Sequence, residues 1–205
     1  MVDVAFEVHC ERLPRDYGFA LFRALADELD WLEGEADAGV HPLHGTSASF
    51  CSDGTASMNG SLCLGKRARL TLRLPDQRVA QAMALAGTRL DPGSGLEIGP
   101  GRLRELVPFA TVYSHFVSTG TADELEFLGQ AAALLKAAGL PDTMIAGKAH
   151  AACTPGGDVC GFSLLLHGLT PAQSLAVQGE RPRRGRKIGC GIFIPHKSVV
   201  AVGAA

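Results

Sequence analysis

Val107-Pro108, Thr111-Val112-Tyr113-Ser114-His115-Phe116-Val117-Ser118 and Thr121-Ala122-Asp123-Glu124 follow one another near the middle of the chain, and their reading decides the fold. Residues 111–118 are rich in β-branched and aromatic residues, the composition of a strand. Thr121 with Glu124 three residues on is a capping box, which opens a helix through Ala138. Gly139 stops it, since glycine accepts the left-handed conformation that ends helices. Residues 143–152 read as a strand, Thr154-Pro155-Gly156-Gly157-Asp158 as a hairpin turn and 161–166 as the returning strand. Thr170-Pro171 opens a helix through about Gln178, with proline at its first position. Residues 188–195 close the series as a strand, giving the order β-α-β-β-α-β.

Working outward, the same order appears upstream of Val107. Val2, Val4, Phe6 and Val8 alternate with polar residues, the period of a half-buried strand. Residues 17–32 place Phe19, Phe22, Ala26 and Leu29 at spacings of three and four, and Leu21, Leu25 and Leu32 broaden this helical stripe. Residues 33–45 are turn-like. Residues 46–64 are rich in Ser, Gly, Thr and Cys, with two weak edge strands expected around Ser52-Asp53-Gly54. Arg67-Ala68-Arg69-Leu70-Thr71-Leu72-Arg73-Leu74 alternates strictly, Pro75-Asp76 opens a helix through about Ala86, and residues 96–98 begin another strand. Two successive split βαβ units imply an α+β protein of two tandem ferredoxin-like domains. Each is an antiparallel sheet backed by two helices, over residues 1–106 and 107–205.

The charge is unevenly spread. Of 19 basic and 21 acidic residues in the 205-residue chain, six basic and no acidic ones fall in residues 181–205, leaving 13 basic and 21 acidic before them. A net charge of −2 therefore conceals a local cationic site. No apolar run approaches the ~20 residues of a membrane span. The N-terminus has no basic leader region, so export is not expected. The six cysteines, Cys10, Cys51, Cys63, Cys153, Cys160 and Cys190, form no C-x-x-C pair. With the seven histidines they show no metal-ligand spacing, and they read as reduced residues of a cytoplasmic protein needing no metal and no cofactor.

The cationic site begins at Arg181, Arg183, Arg184, Arg186 and Lys187, followed by Gly189-Cys190-Gly191 and an apolar strand. Clustered Arg and Lys neutralise phosphates and release counterions. Glycines let a backbone approach a bulky group. A charge run is more often a solvated face, and a Gly-Cys-Gly entering a strand is often a bulge. The charge imbalance favours the phosphate reading. Arg67, Arg69 and Arg73 share one strand face and offer further phosphate contacts. His41 and His44 stand in a loop bounded by Pro and Gly after the first helix. An imidazole exchanges protons near neutral pH, although a lone loop histidine more often only hydrogen-bonds a carbonyl. His115, His150 and His167 lie within strands, where packing is the ordinary role.

Three pieces carry a resemblance: Val40-His41-Pro42-Leu43, Arg69-Leu70-Thr71-Leu72-Arg73-Leu74-Pro75 and Gly189-Cys190-Gly191-Ile192-Phe193-Ile194-Pro195. Together with the tandem fold, they resemble the CRISPR repeat-RNA-processing endoribonucleases of the RAMP superfamily, closest to the myxococcal type I subgroup. The resemblance spans nearly the whole chain and implies metal-independent cleavage of precursor CRISPR RNA within its repeats. In such cleavage a 2′-hydroxyl attacks the adjacent phosphate, leaving a 2′,3′-cyclic phosphate and a 5′-hydroxyl. It further implies His41 as the proton-transferring residue with His44 as alternate. Repeat RNA, as stem-loop or unstructured strand, is the implied partner, with other CRISPR effector-complex subunits. The acidic body departs from the broad basic surface expected of such a protein.

Other classes remain open on sequence alone. A two-histidine phosphoesterase would use His44-Gly45-Thr46 and His196-Lys197-Ser198, a weak three-residue match repeated. A non-catalytic CRISPR-RNA-binding RAMP subunit would keep the basic loop and cut nothing, and an assembly subunit would lack intrinsic RNA affinity.

Overall fold

The computed structural model describes residues 1–10, 12–44, 46–47, 61–179 and 185–197. The chain divides into two compact units: residues 1–105 with 187–189, and residues 106–186 with 190–205. Among the described residues, no helix is long and apolar enough to cross a membrane.

Unit 1 runs β1 (Val2–His9), β2 (Arg12–Pro14), α1 (Gly18–Glu28), β3 (Gly39–Val40), β4 (Thr46–Ser47), β5 (Ser61–Cys63), β6 (Arg69–Leu74), α2 (Val79–Met83), β7 (Arg89–Leu90) and β8 (Leu96–Glu105). Its main sheet has the order β3-β6-β1-β8-β7, with every pairing antiparallel. Leaving out the two-residue β7, this is the strand order of a ferredoxin-like unit. Val4, Phe6 and Val8 of β1 and Leu70, Leu72 and Leu74 of β6 join Leu21 and Leu25 of α1 in one core. Residues 3, 5, 7, 69, 71 and 73 therefore stand on the opposite face, by strand alternation. Strands β2, β5 and β4 make a small separate sheet.

Two helices are shorter than the pattern suggests. Helix α1 ends at Glu28, yet Leu29 and Leu32 stay buried in the turn that follows, so the apolar period outruns the helix. The helix expected from Pro75 is a 3-10 turn over Asp76–Arg78 and then only Val79–Met83. Leu85 and Thr88 continue with bonds to the third residue back, and Gly87 at φ +91° turns the chain into β7. The two short strands expected within residues 46–64 are β4 and β5, paired antiparallel with Thr46 opposite Cys63, while the Ser52-Asp53-Gly54 turn falls outside the described residues.

Unit 2 runs β9 (Thr111–Val117), α3 (Glu124–Ala137), β10 (Met144–Ala152), β11 (Val159–His167), α4 (Pro171–Gly179) and β12 (Phe193–Pro195). Its sheet order β10-β11-β9-β12 is again ferredoxin-like and antiparallel. Val112, Phe162, Leu164, Leu166 and Phe193 on one sheet face pack with Phe127 and Leu135 of α3 and Val177 of α4. The α3 cap sits two residues later than expected: Asp123 accepts from the Glu126 amide at 2.8 Å, while the Thr121 hydroxyl donates to the Glu126 carboxylate at 2.7 Å. The closing strand is reduced to three residues. Residues 186–188 form a 3-10 turn, and Gly189 and Gly191 at φ +86° and +70° leave the extended conformation altogether.

Candidate active site

His41 is placed by the sheet edge. Strand β3 pairs through Gly39 and Val40 with Arg73 and Leu72, and the His41 amide donates to the Thr71 carbonyl at 2.9 Å as the last rung. Pro42 has no amide hydrogen, so the ladder cannot continue. Beyond it, Leu43 is buried and tied to the start of α1: its amide donates to the Tyr17 hydroxyl at 2.6 Å, and that hydroxyl donates to the Leu43 carbonyl. Burial pushes the Tyr17 pKa up to about 12, against the opposing Leu43 hydrogen bond. His44 is exposed.

A carboxylate faces the His41 ring. Asp3 stands directly across β1–β6 from Arg73, and its Oδ1 lies 3.3 Å from His41 Nε2. Arg73 grips the same carboxylate with Nε on Oδ1 at 2.7 Å and Nη2 on Oδ2 at 2.9 Å. Burial pushes the Asp3 pKa up, but the hydrogen bonds from Arg73 and His41 and their charges outweigh it. The carboxyl is held well below the usual carboxylate range.

The glycine-rich segment reaches the same loop. Gly189, at φ +86°, comes so close to Pro42 that a Cβ there would lie 3.3 Å from the proline Cγ. One residue back, the Ile188 carbonyl closes on Gly18 at the start of α1, where a Cβ would stand 3.1 Å away. The Lys187 ammonium bonds the Glu33 carbonyl and lies 5.8 Å from the centre of the Phe22 ring. Burial draws its pKa down, partly offset by Glu33 and Glu35. So the two motifs singled out in the sequence, the histidine loop and the Gly189 turn, meet within unit 1.

The arginines divide. Arg67 is exposed. Arg69 is half-buried, donating to the Ala68 carbonyl at 2.7 Å and lying 3.6 Å from Glu7. Arg73 departs from the expected phosphate contact: at 1 % exposure its guanidinium is committed to Asp3. Arg186 departs likewise, being 2 % exposed. Arg181, Arg183 and Arg184 fall outside the described residues. Gly191 belongs to unit 2, where its amide donates to the Phe116 carbonyl at 2.6 Å.

Sequence reasoning passed over Asp3, Tyr17, Arg102 and Arg104. Asp3 carried a signal, an acid at an outward position of an alternating strand in a protein with an arginine-bearing strand to pair with. Arg102 and Arg104 are exposed on β8, opposite Ala5 and Asp3. Nothing local marks Tyr17. The rival histidine pair is split, His44 in unit 1 and His196 in unit 2, with the His196 ring against Tyr113. No group of three or more His, Cys, Asp and Glu side chains among the described residues is placed to hold a metal ion.

The family model described as Cas6 Crispr matches residues 2–198. The CRISPR-associated endonuclease Cas6 of Myxococcus xanthus (strain DK1622) is 33 % identical over 196 residues, covering 95 % of this chain and 81 % of that protein. Among solved structures, a RAMP protein described as binding different RNA substrates superposes with TM-score 0.64 at 9 % identity, covering 95 % of this chain and 99 % of that one. The product of a Cas6-related gene from Pyrococcus furiosus gives 0.60 at 9 % identity, covering 94 % and 97 %. At such identities the two structures speak to the fold, the tandem ferredoxin-like arrangement.

Proposed function

The chain belongs to the Cas6 CRISPR family, and we propose that it is an endoribonuclease that cuts precursor CRISPR RNA within its repeats to release mature CRISPR RNA. The observation that carries this reading to particular residues is the meeting of the His41 loop with the Gly189 turn. A proton-transferring group and a close-approach backbone turn, with Lys187 two residues before it, stand on one unit.

The reaction needs an internal nucleophile, a proton shuttle and help for the charged phosphorane. In the proposed sequence the 2′-oxygen bonds to the adjacent phosphorus as its proton passes to a base. The P–O5′ bond then breaks, and the leaving 5′-oxygen takes a proton. The products are a 2′,3′-cyclic phosphate and a 5′-hydroxyl. His41 exchanges one of these protons, and Asp3, locked by Arg73, fixes the orientation of its ring. Arg183, Arg184, Arg181 and Lys187 with the exposed Arg67 hold flanking phosphates. Because the nucleophile is already part of the substrate, no metal-activated water is required.

The test is cleavage of repeat RNA carrying a single 2′-deoxy sugar at the scissile position, in excess EDTA. The unmodified RNA should be cut and the deoxy RNA bound but left intact. Cleavage of the deoxy RNA, or loss of all activity in EDTA with recovery on adding Mg²⁺, would overturn the mechanism.

A further inference from the structure

The face of the unit 2 sheet turned away from α3 and α4 carries an unusual set of rings. Val112, Phe162, Leu164 and Leu166 point into the core, so Tyr113 and Leu165 point the other way. Between Ser114 and Val117 strand β9 has one residue more than β11 has between Leu164 and Phe162. This bulge brings both His115 and Phe116 to the outer face, whereas regular alternation would bring only one. The Tyr113 ring meets the His196 ring at 5.7 Å, and the His115 ring meets the His150 ring at 4.1 Å. Phe116, itself buried, lies beneath them 6.1 Å from His150 and offers no free surface of its own.

The His115–His150 contact spans an intervening strand, because β11 lies between β9 and β10. Strands two apart are separated by about 10 Å. The rings can meet because the residue opposite His150 is Gly161, which has no side chain to stand between them. A Cβ there would lie 2.0 Å from the Val117 carbonyl oxygen, so the gap is built in.

The charge of the same sheet is one-sided. β9, β10, β11 and β12 contain no Asp or Glu, although the whole chain has 21. Lys148 and Lys197 are exposed, two residues before His150 and one after His196. The nearest acids in sequence, Asp142 and Asp158, lie outside the strands. Burial, followed by the charge of Lys148, favours the neutral form of His150.

Flat rings on an acid-free, lysine-flanked sheet suit a polyanion with stackable bases. We propose that this face is a stacking platform for bases of single-stranded RNA, seated on Tyr113–His196 and His115–His150. The inference rests on the RNA reading above and adds a binding subsite to it, separate from the His41 loop. It predicts that the contribution of the rings to affinity owes little to counterion release.

The probe is a single-stranded oligoadenylate with one adenine replaced by 2-aminopurine, titrated into the full chain at two salt concentrations at pH 8. The double variant H115S/H150S, and Y113S separately, should each bind roughly tenfold or more weakly, by the same factor at both salts, with reduced 2-aminopurine quenching. The ring-retaining double variant H115F/H150F should keep both affinity and quenching, which preserves the test if the serine variants fold poorly. Cleavage of saturating repeat RNA should stay at the wild-type rate in all of them. Unchanged affinity in folded serine variants, while the wild type binds and cuts, overturns the platform alone. A wild-type chain that binds no RNA overturns both readings.

Discussion

Arg73 holds Asp3 through two hydrogen bonds, at 2.7 and 2.9 Å, across the β1–β6 ladder, with the guanidinium almost wholly buried. The same carboxylate touches His41 Nε2 at 3.3 Å. Fold stability and the orientation of the candidate catalytic ring thus share one ion pair.

The pair should show in the acid stability. A carboxyl whose pKa is lower folded than unfolded stabilises the fold above its unfolded value, near 3.9, and loses that contribution as pH falls toward the folded value. Asp3→Asn should flatten that acid limb of the unfolding midpoint against pH. At neutral pH it should lower stability by on the order of 3 kcal/mol, the usual cost of leaving a buried charge uncompensated. An unchanged midpoint by chemical denaturation would count against the pair as a structural clamp.

His41→Ala should slow cleavage by roughly two to four orders of magnitude. RNA affinity should barely move, because a single imidazole adds little to phosphate-dominated binding. His44→Ala should do less. Single-turnover rates settle the order, and a larger loss at His44 moves the proton carrier three residues along without changing the reaction.

Gly189→Ala should cost roughly 1–2 kcal/mol through the left-handed backbone and should also slow cleavage, because its Cβ presses on Pro42 beside His41. Gly120→Ala is the control. That residue is also at positive φ, +102°, but a Cβ there meets nothing within 4 Å, so stability should fall and the cleavage rate should not.

Substitutions along the basic run should have two different effects. Arg183→Ala with Arg184→Ala should weaken repeat-RNA binding by a factor that shrinks as salt rises, with the unfolding midpoint unchanged. Arg186→Ala should instead destabilise by roughly 2 kcal/mol, as loss of a buried polar side chain does. Filter binding at two salts together with thermal melts separates the two effects.

Much of the fold was legible because it is written in local rules. Alternation marks β1 and β6, β-branched and aromatic composition marks β9, and Gly139 at φ +66° ends α3 as its sequence suggests. The repeated strand–helix order yields the two ferredoxin-like units. Element ends were less legible. Burial continues through Leu29 and Leu32 beyond α1, and a period of apolar residues reports burial, not hydrogen bonding.

For the candidate site, the sequence by itself singled out the pair His41 and His44 and the glycines Gly189 and Gly191, because histidines between breakers and glycines after a charge run stand out locally, and the family resemblance put His41 first. Only the tertiary structure brought His41 and Gly189 together, through Pro42, from positions nearly 150 residues apart. It alone turned Arg73 from a phosphate contact into the clamp on Asp3. Both hold at the same alternation of β6, and what decides between them is which side chain β1 sets opposite. Register is a property of two strands at once, so neither strand's sequence contains it.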